Sequence, residues 1–178
     1  MRPAQEREFA EYFGQRRDAV RRSAYLLCGD WHRADDVAQT AFVKLHRHWE
    51  SVRDKGALDA WMRRTVVRAV VDESRRPWRR ERSTEVLPEV AVVDRDPGDA
   101  LGTREQVLAG LRTVPARQRA ALVLRFIEDL DVSTTAAVLG CTEGTVKSQT
   151  ARGLATLRRA LEAARVDEDD EVVPGGRP

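Results

Sequence analysis

Apolar residues along this chain recur every three to four positions, and runs that alternate at every second position are nearly absent. That period belongs to amphipathic helices, so the expected fold is all-α. The first predicted helix covers about Glu6 to Cys28, with Phe9, Phe13, Val20, Ala24 and Leu27 on one broad apolar face. Gly29 and Asp30 break it. A second helix is expected from near Asp35, because Asp36 and Gln39 have the spacing of a capping box. Its buried side carries Val37, Ala41, Phe42, Leu45 and Trp49. A loop runs from Glu50 to about Gly56. A third helix then covers Leu58 to about Arg75, with Met62, Val66, Ala69 and Val70 inward.

The periodicity fades between Ser83 and Gly102, where Pro88, Pro97, Gly98, Gly102 and several acids mark a linker. A second helical unit begins near Thr103. Pro115 is expected at the first position of a helix that runs to about Glu128. Ser133 to Leu139 forms a short helix, and a longer one follows to about Ala164. The end "VDEDDEVVPGGRP" has the composition of a disordered tail. The predicted organisation is therefore two small helical domains, 5–82 and 105–165. A flexible acidic linker over 83–104 joins them, and an acidic tail over 166–178 follows.

The stretch "LGCTEGTVKSQTARGLATLRRAL", Leu139 to Leu161, places a short Gly-containing turn between two helices, the pattern of a helix-turn-helix. Gly140 supplies a backbone conformation that a β-carbon would resist. Thr142 is placed to cap the second helix by accepting from the amides around Gly144 and Thr145. Val146, Thr150, Gly153, Leu157 and Leu161 share one face of that helix. Thr145, Ser148, Gln149, Arg152 and Thr156 share another, with Lys147 beside it. The second face is small, polar and rich in hydrogen-bonding groups near the helix start. Such groups suit the edges of bases in a major groove, where Gln reads adenine and Arg or Lys reads guanine. A solvated face of an ordinary helical hairpin is the competing reading of the same residues.

Charge sharpens the picture. The net charge of +2 hides two basic blocks, about +5 over 51–82 and about +3 over 105–165. They are separated by an acidic spacer of about −3 and followed by a tail of about −4. Basic blocks of this kind suit a polyanion. In the first, "ALDAWMRRTVVRAVVDESRRPWRRER" interleaves Trp61 and Trp78 with Arg63, Arg64, Arg68, Arg75, Arg76, Arg79, Arg80 and Arg82. Arginines bind phosphates and aromatic faces stack on exposed bases, a pairing that suits DNA being opened. Core burial of Trp61 beside a solvated basic surface is the alternative.

The remaining chemistry is sparse. Cys28 and Cys141 form no CxxC and no metal-spaced cluster, so two reduced thiols are expected. His46 and His48 diverge on a helix and do not make a metal pair. No acid/base pair, Gly-rich phosphate loop or nucleophile–base set stands out, so neither a cofactor nor an enzyme activity is expected. With no signal peptide and no apolar run near 18 residues, a soluble, cytoplasmic protein is expected.

Taken in order, three stretches resemble the extracytoplasmic-function (ECF) sigma factors, and most of all their actinobacterial SigE-like group. "DDVAQTAFVKL" is similar to the helix that binds core polymerase. "AWMRRTVVRAVVDESRRPWRRER" is similar to the helix that melts and reads the −10 element. "VPARQRAALVLRFIEDLDVSTTAAVLGCTEGTVKSQTARGLATLR" is similar to the domain that reads the −35 element. Together they span nearly all of Phe9 to Ala164.

The resemblance implies a sigma factor that directs promoter-specific initiation through both elements. It assigns Asp36, Gln39 and Thr40 to the clamp helices of the polymerase largest subunit. It assigns Trp61, Arg64, Arg68, Arg75 and Arg76 to the −10 element, and the Glu50–Gly56 loop to a flipped base. Lys147, Ser148, Gln149 and Arg152 would enter the −35 major groove, with Arg117 near phosphate. The helix from Pro115 to Glu128 and its neighbours would dock on the flap of the second-largest subunit. The spacer would thread towards the RNA exit channel. An anti-sigma factor is a further implied partner, and no membrane is implied. Three positions depart from the family pattern: Thr40 where Glu is frequent, Arg68 where Asn is frequent, and Thr135 where an acid is usual. A two-domain helix-turn-helix regulator acting without the polymerase is the rival, but it leaves "DDVAQT" and the Trp/Arg helix without a role.

Overall fold

The computed structural model describes residues 2–52, 54–73 and 100–171. No strand occurs among them. α1 (Pro3–Cys28), α2 (Trp31–His48) and α3 (Leu58–Glu73) form a first module. α4 (Ala100–Thr113), α5 (Ala116–Leu122), α6 (Val132–Leu139) and α7 (Glu143–Glu171) form a second. Gly29, at φ 76°, turns the chain out of α1 as a left-handed C-cap.

Several boundaries differ from the sequence reading for local reasons. α2 begins at Trp31 because Asp30, straight after Gly29, takes the cap, its carboxylate accepting from Arg33 N–H at 2.8 Å. Asp36 therefore lies inside the helix and is not a capping residue. Pro115 is the residue before α5 rather than its first helical residue, with extended backbone at ψ 141°. α4 begins at Ala100, within the span read as linker, and α7 continues to Glu171, past the boundary drawn at Arg165.

Module one is held by an aromatic-rich core. Leu45, Trp49 and Met62 are almost fully buried between the helices. Phe9 meets Trp49 edge-on with ring centroids 5.2 Å apart, and Phe13 meets Phe42 likewise at 4.8 Å. Burying each large apolar side chain here contributes about 1.5–3 kcal/mol. Asp59 on α3 joins the helices at the surface, accepting from Tyr12 Oη at 3.0 Å and Arg16 Nε at 2.8 Å on α1. On either side of residue 53 the connection forms two short 3₁₀ turns, Trp49–Ser51 and Lys55–Ala57, with Asp54 accepting from Gly56 N–H and Lys55 Nζ 3.5 Å over the Trp49 ring.

Module two is smaller and mostly aliphatic. Leu111, Val114 and Leu122 pack together with Val107 and Leu157. α7 lies close on α5 because Gly153 has no side chain: a β-carbon there would stand 3.0 Å from Leu122 Cγ and 3.3 Å from the Gln118 carbonyl oxygen. The two modules are not separate bodies. Ala120, Val123, Leu124 and Val138 of module two belong to the same apolar cluster as the core of α1, α2 and α3.

Candidate nucleic-acid interface

The helix-turn-helix is built by short-range chemistry. The Asp131 carboxylate starts α6 by accepting from Thr134 N–H at 2.6 Å and Ser133 Oγ at 2.9 Å. Those bonds, the backbone one first, hold its pKa below the ordinary carboxylate value. Gly140, at φ 64°, closes α6 in the left-handed conformation, and Cys141 N–H reaches back to the Ala136 carbonyl at 3.1 Å. Thr142 then opens α7, its Oγ1 accepting from Thr145 N–H at 3.1 Å. Val146, fully buried, seats α7 in the module. Thr135, where the family usually has an acid, is also fully buried and donates to the Asp131 carbonyl at 2.7 Å. A buried hydroxyl is satisfied there by that one bond.

On the outer side of α7, Lys147, Ser148 and Arg152 are exposed and Gln149 is half-buried. Neither Lys147 nor Arg152 is engaged in an ion pair among the described residues. Ser148 Oγ donates to the Thr145 carbonyl at 3.0 Å, which leaves its lone pairs to accept from outside. Arg117, at the start of α5, is exposed as well. The resulting face offers donors and acceptors of different lengths at the first turns of one helix, the arrangement that a major groove accommodates.

A second face lies on α3. Trp61, Arg64 and Arg68 are exposed along one side of the helix, while Met62, Val66, Val67 and Val70 are buried on the other. Trp61 is thus a surface residue at 36% exposure and not part of the core. Arg64 and Arg68 have no carboxylate partner among the described residues. Arg63 turns the other way and pairs with Glu128 at 2.6 Å. Arg75 and Arg76, assigned to this face from the sequence, lie outside the described residues, as do Trp78, Arg79, Arg80, Arg82 and most of the spacer.

A third face runs along α2. Asp36, Gln39 and Thr40 are exposed, and Val43, one turn on, is exposed at 44%. The sequence reading missed Val43, although its spacing from Asp36 and Thr40 places it on their stripe. Gln39 and Val43 also border a groove of about 610 Å³ floored by Phe9, Phe13 and Phe42. Arg21 and Asp35, joined by a hydrogen bond of 3.1 Å, line it as well. That pair holds the Asp35 carboxyl below its ordinary pKa, first through the hydrogen bond from Arg21.

Neither cysteine is set up as a nucleophile. Burial raises the Cys28 thiol above its ordinary pKa and raises Cys141 as well. No cluster of three or more His, Cys, Asp or Glu side chains able to hold a metal occurs among the described residues.

Two bundled helical modules, one ending in a capped helix-turn-helix and the other carrying an exposed Trp/Arg helix, give the molecule two exposed faces of the chemistry that suits DNA. The family models place it. Residues 12–80 match sigma-70 region 2, and residues 104–157 match sigma-70 region 4. The chain is 38% identical over 160 residues to the RNA polymerase sigma-E factor of Streptomyces avermitilis, covering 90% of this chain and 88% of that one. It is 35% identical over 154 residues to the ECF RNA polymerase sigma factor SigM of Mycobacterium tuberculosis, covering 86% and 76%. The sigma factor RpoE of Bartonella quintana, solved in complex with the anti-sigma factor NepR, shares the fold. Its TM-score is 0.68 at 23% identity, over 87% of this chain and 97% of that one. The chain belongs to the sigma-70 family and, within it, to the ECF RNA polymerase sigma factors. It is a transcription initiation factor that confers promoter specificity on the polymerase. Membership of this family excludes a regulator that acts apart from the enzyme. No described helix is long and apolar enough to cross a membrane.

Proposed function

We propose that the three exposed faces divide the work of a sigma factor between them. The α2 stripe of Asp36, Gln39 and Thr40, with Val43 as its apolar centre, grips the clamp helices of the polymerase largest subunit. The α3 face of Trp61, Arg64 and Arg68, together with Arg75 and Arg76, engages the −10 element. There the arginines hold phosphates and the indole stacks on a base drawn out of the duplex. The α7 face of Lys147, Ser148, Gln149 and Arg152 enters the −35 major groove, and Arg117 contacts phosphate. The exposed Phe126 and Ile127, at 59% and 52%, suit docking of module two on the flap of the second-largest subunit. The chain acts in the cytoplasm without catalytic chemistry of its own. An anti-sigma factor is a fitting partner, because the structural relatives include sigma factors solved with one.

The observation that carries this reading is the pair of exposed basic faces on α3 and α7, whose cations Arg64, Arg68, Lys147 and Arg152 make no ion pair among the described residues and are borne by separate modules. Two attachments tethered by one linker raise affinity through effective concentration, provided the linker spans the gap. About twenty residues at roughly 3.3 Å each reach about 65 Å when extended, the modules themselves covering the rest of the distance between the two elements. The test is transcription reconstituted with purified core polymerase. Gln39→Ala with Val43→Asp is expected to abolish core binding while leaving −35 duplex binding of the free protein in place. Unchanged core binding by that variant would refute the α2 assignment.

A further inference from the structure

Where α1 ends, positive charge gathers in a buried place. Arg112 on α4 and Arg119 on α5 line a cavity of about 10 Å³ there, beside Tyr25, Gly29 and Leu111. Arg119 is only 9% exposed. Its Nε and the Nε of Arg112 are both buried with no acceptor in the protein. Folded chains rarely leave such groups unpaired. Gly29 makes the approach possible: a β-carbon there would stand 2.9 Å from Arg112 Cγ and 3.5 Å from Arg119 Nη1. The two arginines thus fill the room that a side chain at position 29 would take.

The neighbours do not balance these charges. Neither Arg112 nor Arg119 makes an ion pair among the described residues. Burial pushes the Arg119 guanidinium below its ordinary pKa, and the charges of Arg33 and Arg112 act in the same direction. Cys28 opposes them, but burial raises its thiol pKa and its Sγ donates to the Asp30 carbonyl at 3.2 Å, so it stays neutral. The Asp30 carboxylate is taken up as the cap of α2. What remains is the C-terminal dipole of α1, equivalent to roughly half a negative charge. That is too little for the guanidinium groups around it.

Nor can the two side chains simply swing out to water. Arg112 Nη2 donates to the buried Tyr25 Oη at 2.8 Å. Arg119 rides on a helix whose far end is fixed. After α5 the chain Val123–Ile127 winds as a single π turn, with Glu128 N–H bonded to the Val123 carbonyl at 3.0 Å. This turn carries Phe126 and Ile127 out to solvent. Glu128, next along, accepts from Ser23 on α1 and from Arg63 Nε on α3 at 2.6 Å.

We propose that this cavity binds one small monovalent anion of the halide type, held between the Nε–H groups of Arg112 and Arg119. Size and charge both select it. The cavity has room for about one water-sized sphere, too little for sulfate, phosphate or a carboxylate ligand. A water molecule could accept from both N–H groups, but it would leave the buried charge uncompensated. A halide accepts the same two bonds and cancels one charge. The site stands apart from the faces assigned to polymerase and promoter, so it does not depend on their assignment.

The test is thermal unfolding of the full chain, with chloride titrated against gluconate at constant ionic strength. An anion that binds only the folded state raises the midpoint as its concentration passes the dissociation constant. A rise of about 2–4 °C is expected for a chain of this length. Arg119→Met is expected to abolish the chloride response, and to unfold in gluconate no earlier than wild type because the buried charge is gone. Arg158→Met, which removes an exposed cation on α7, is expected to keep the full response. Should Arg119→Met fail to fold, Arg112→Lys takes its place: it keeps the charge but removes the Nε–H, and chloride affinity is expected to fall about tenfold. Chlorine-35 line broadening on the wild-type chain, lost in the same variant, reads binding directly. Equal midpoints in chloride and gluconate, a response that the cavity variant retains in full, or one that Arg158→Met loses equally would each overturn the proposal and leave the cavity to water.

Discussion

The two helices proposed as readers, α3 and α7, present different chemistry on the same scaffold. Each buries one side and exposes the other. The exposed side of α3 carries a flat indole and long guanidinium groups, Trp61, Arg64 and Arg68. The exposed side of α7 carries a mixture of short and long hydrogen-bonding groups, Ser148, Gln149, Lys147 and Arg152, just after a capped start. Long cations and a ring hold a backbone and an unstacked base; graded polar groups at a helix N-terminus read the edges of an intact duplex. Their seating differs too. α3 is anchored by buried side chains from module one, and α7 by Val146 together with the close approach that Gly153 permits.

That contrast can be broken from the inside first. Met62→Ala empties the seat of α3 and is expected to cost about 2–5 kcal/mol of stability, read as a lowered denaturation midpoint. Gly153→Val overfills the seat of α7, with an expected cost of about 1–3 kcal/mol by the same measurement, and it should weaken −35 duplex binding along with it. At the surface the two helices should separate cleanly. Arg152→Ala is expected to cost about 1–3 kcal/mol of −35 duplex binding and to leave single-strand binding on a pre-melted template intact. Trp61→Ala should do the reverse, costing about 1–3 kcal/mol of single-strand binding by fluorescence titration, with duplex binding unchanged. Thr142→Ala removes the cap of α7 alone, for about 0.5–2 kcal/mol by thermal denaturation.

The smallest effect concerns acid. The Asp131 carboxyl has a folded pKa below its ordinary 3.8, so its contribution is present above that value. It is lost as pH falls through the folded pKa, because the unfolded chain takes up its proton first. Asp131→Asn should flatten this limb of an acid denaturation curve. An unchanged limb would place the stabilising bonds elsewhere.

Much of this was legible in the sequence wherever the cause is local. Gly140 and Thr142 announce the turn and the cap because both act within three residues of themselves. The buried stripes of α2 and α3 follow from period alone, down to Leu45, Trp49, Met62 and Val66. Misreadings arose where two local signals compete. Asp30 takes the cap that Asp36 appeared to offer, because a left-handed Gly29 ends α1 one residue before it. Trp61 could not be assigned from its neighbours, since a tryptophan suits either side of a helix. Glu128 was invisible for a different reason. Its partners Ser23 and Arg63 lie 105 and 65 residues away, and the π turn that aims it leaves no period of its own.

That π turn carries a wider consequence. A π turn spends one more residue than an α turn on a single circuit, so it works as an insertion within an otherwise regular helix. Deleting one residue between Val123 and Ile127 would let the segment rewind as ordinary α-helix. The Glu128 N–H bond to the Val123 carbonyl would then close an ordinary i→i+4 turn, so Glu128 would keep its place beside Arg63. What would be lost is the widened circuit that carries Phe126 and Ile127 out to solvent. One added residue thus lets the chain present an apolar tip without disturbing the contact that follows it.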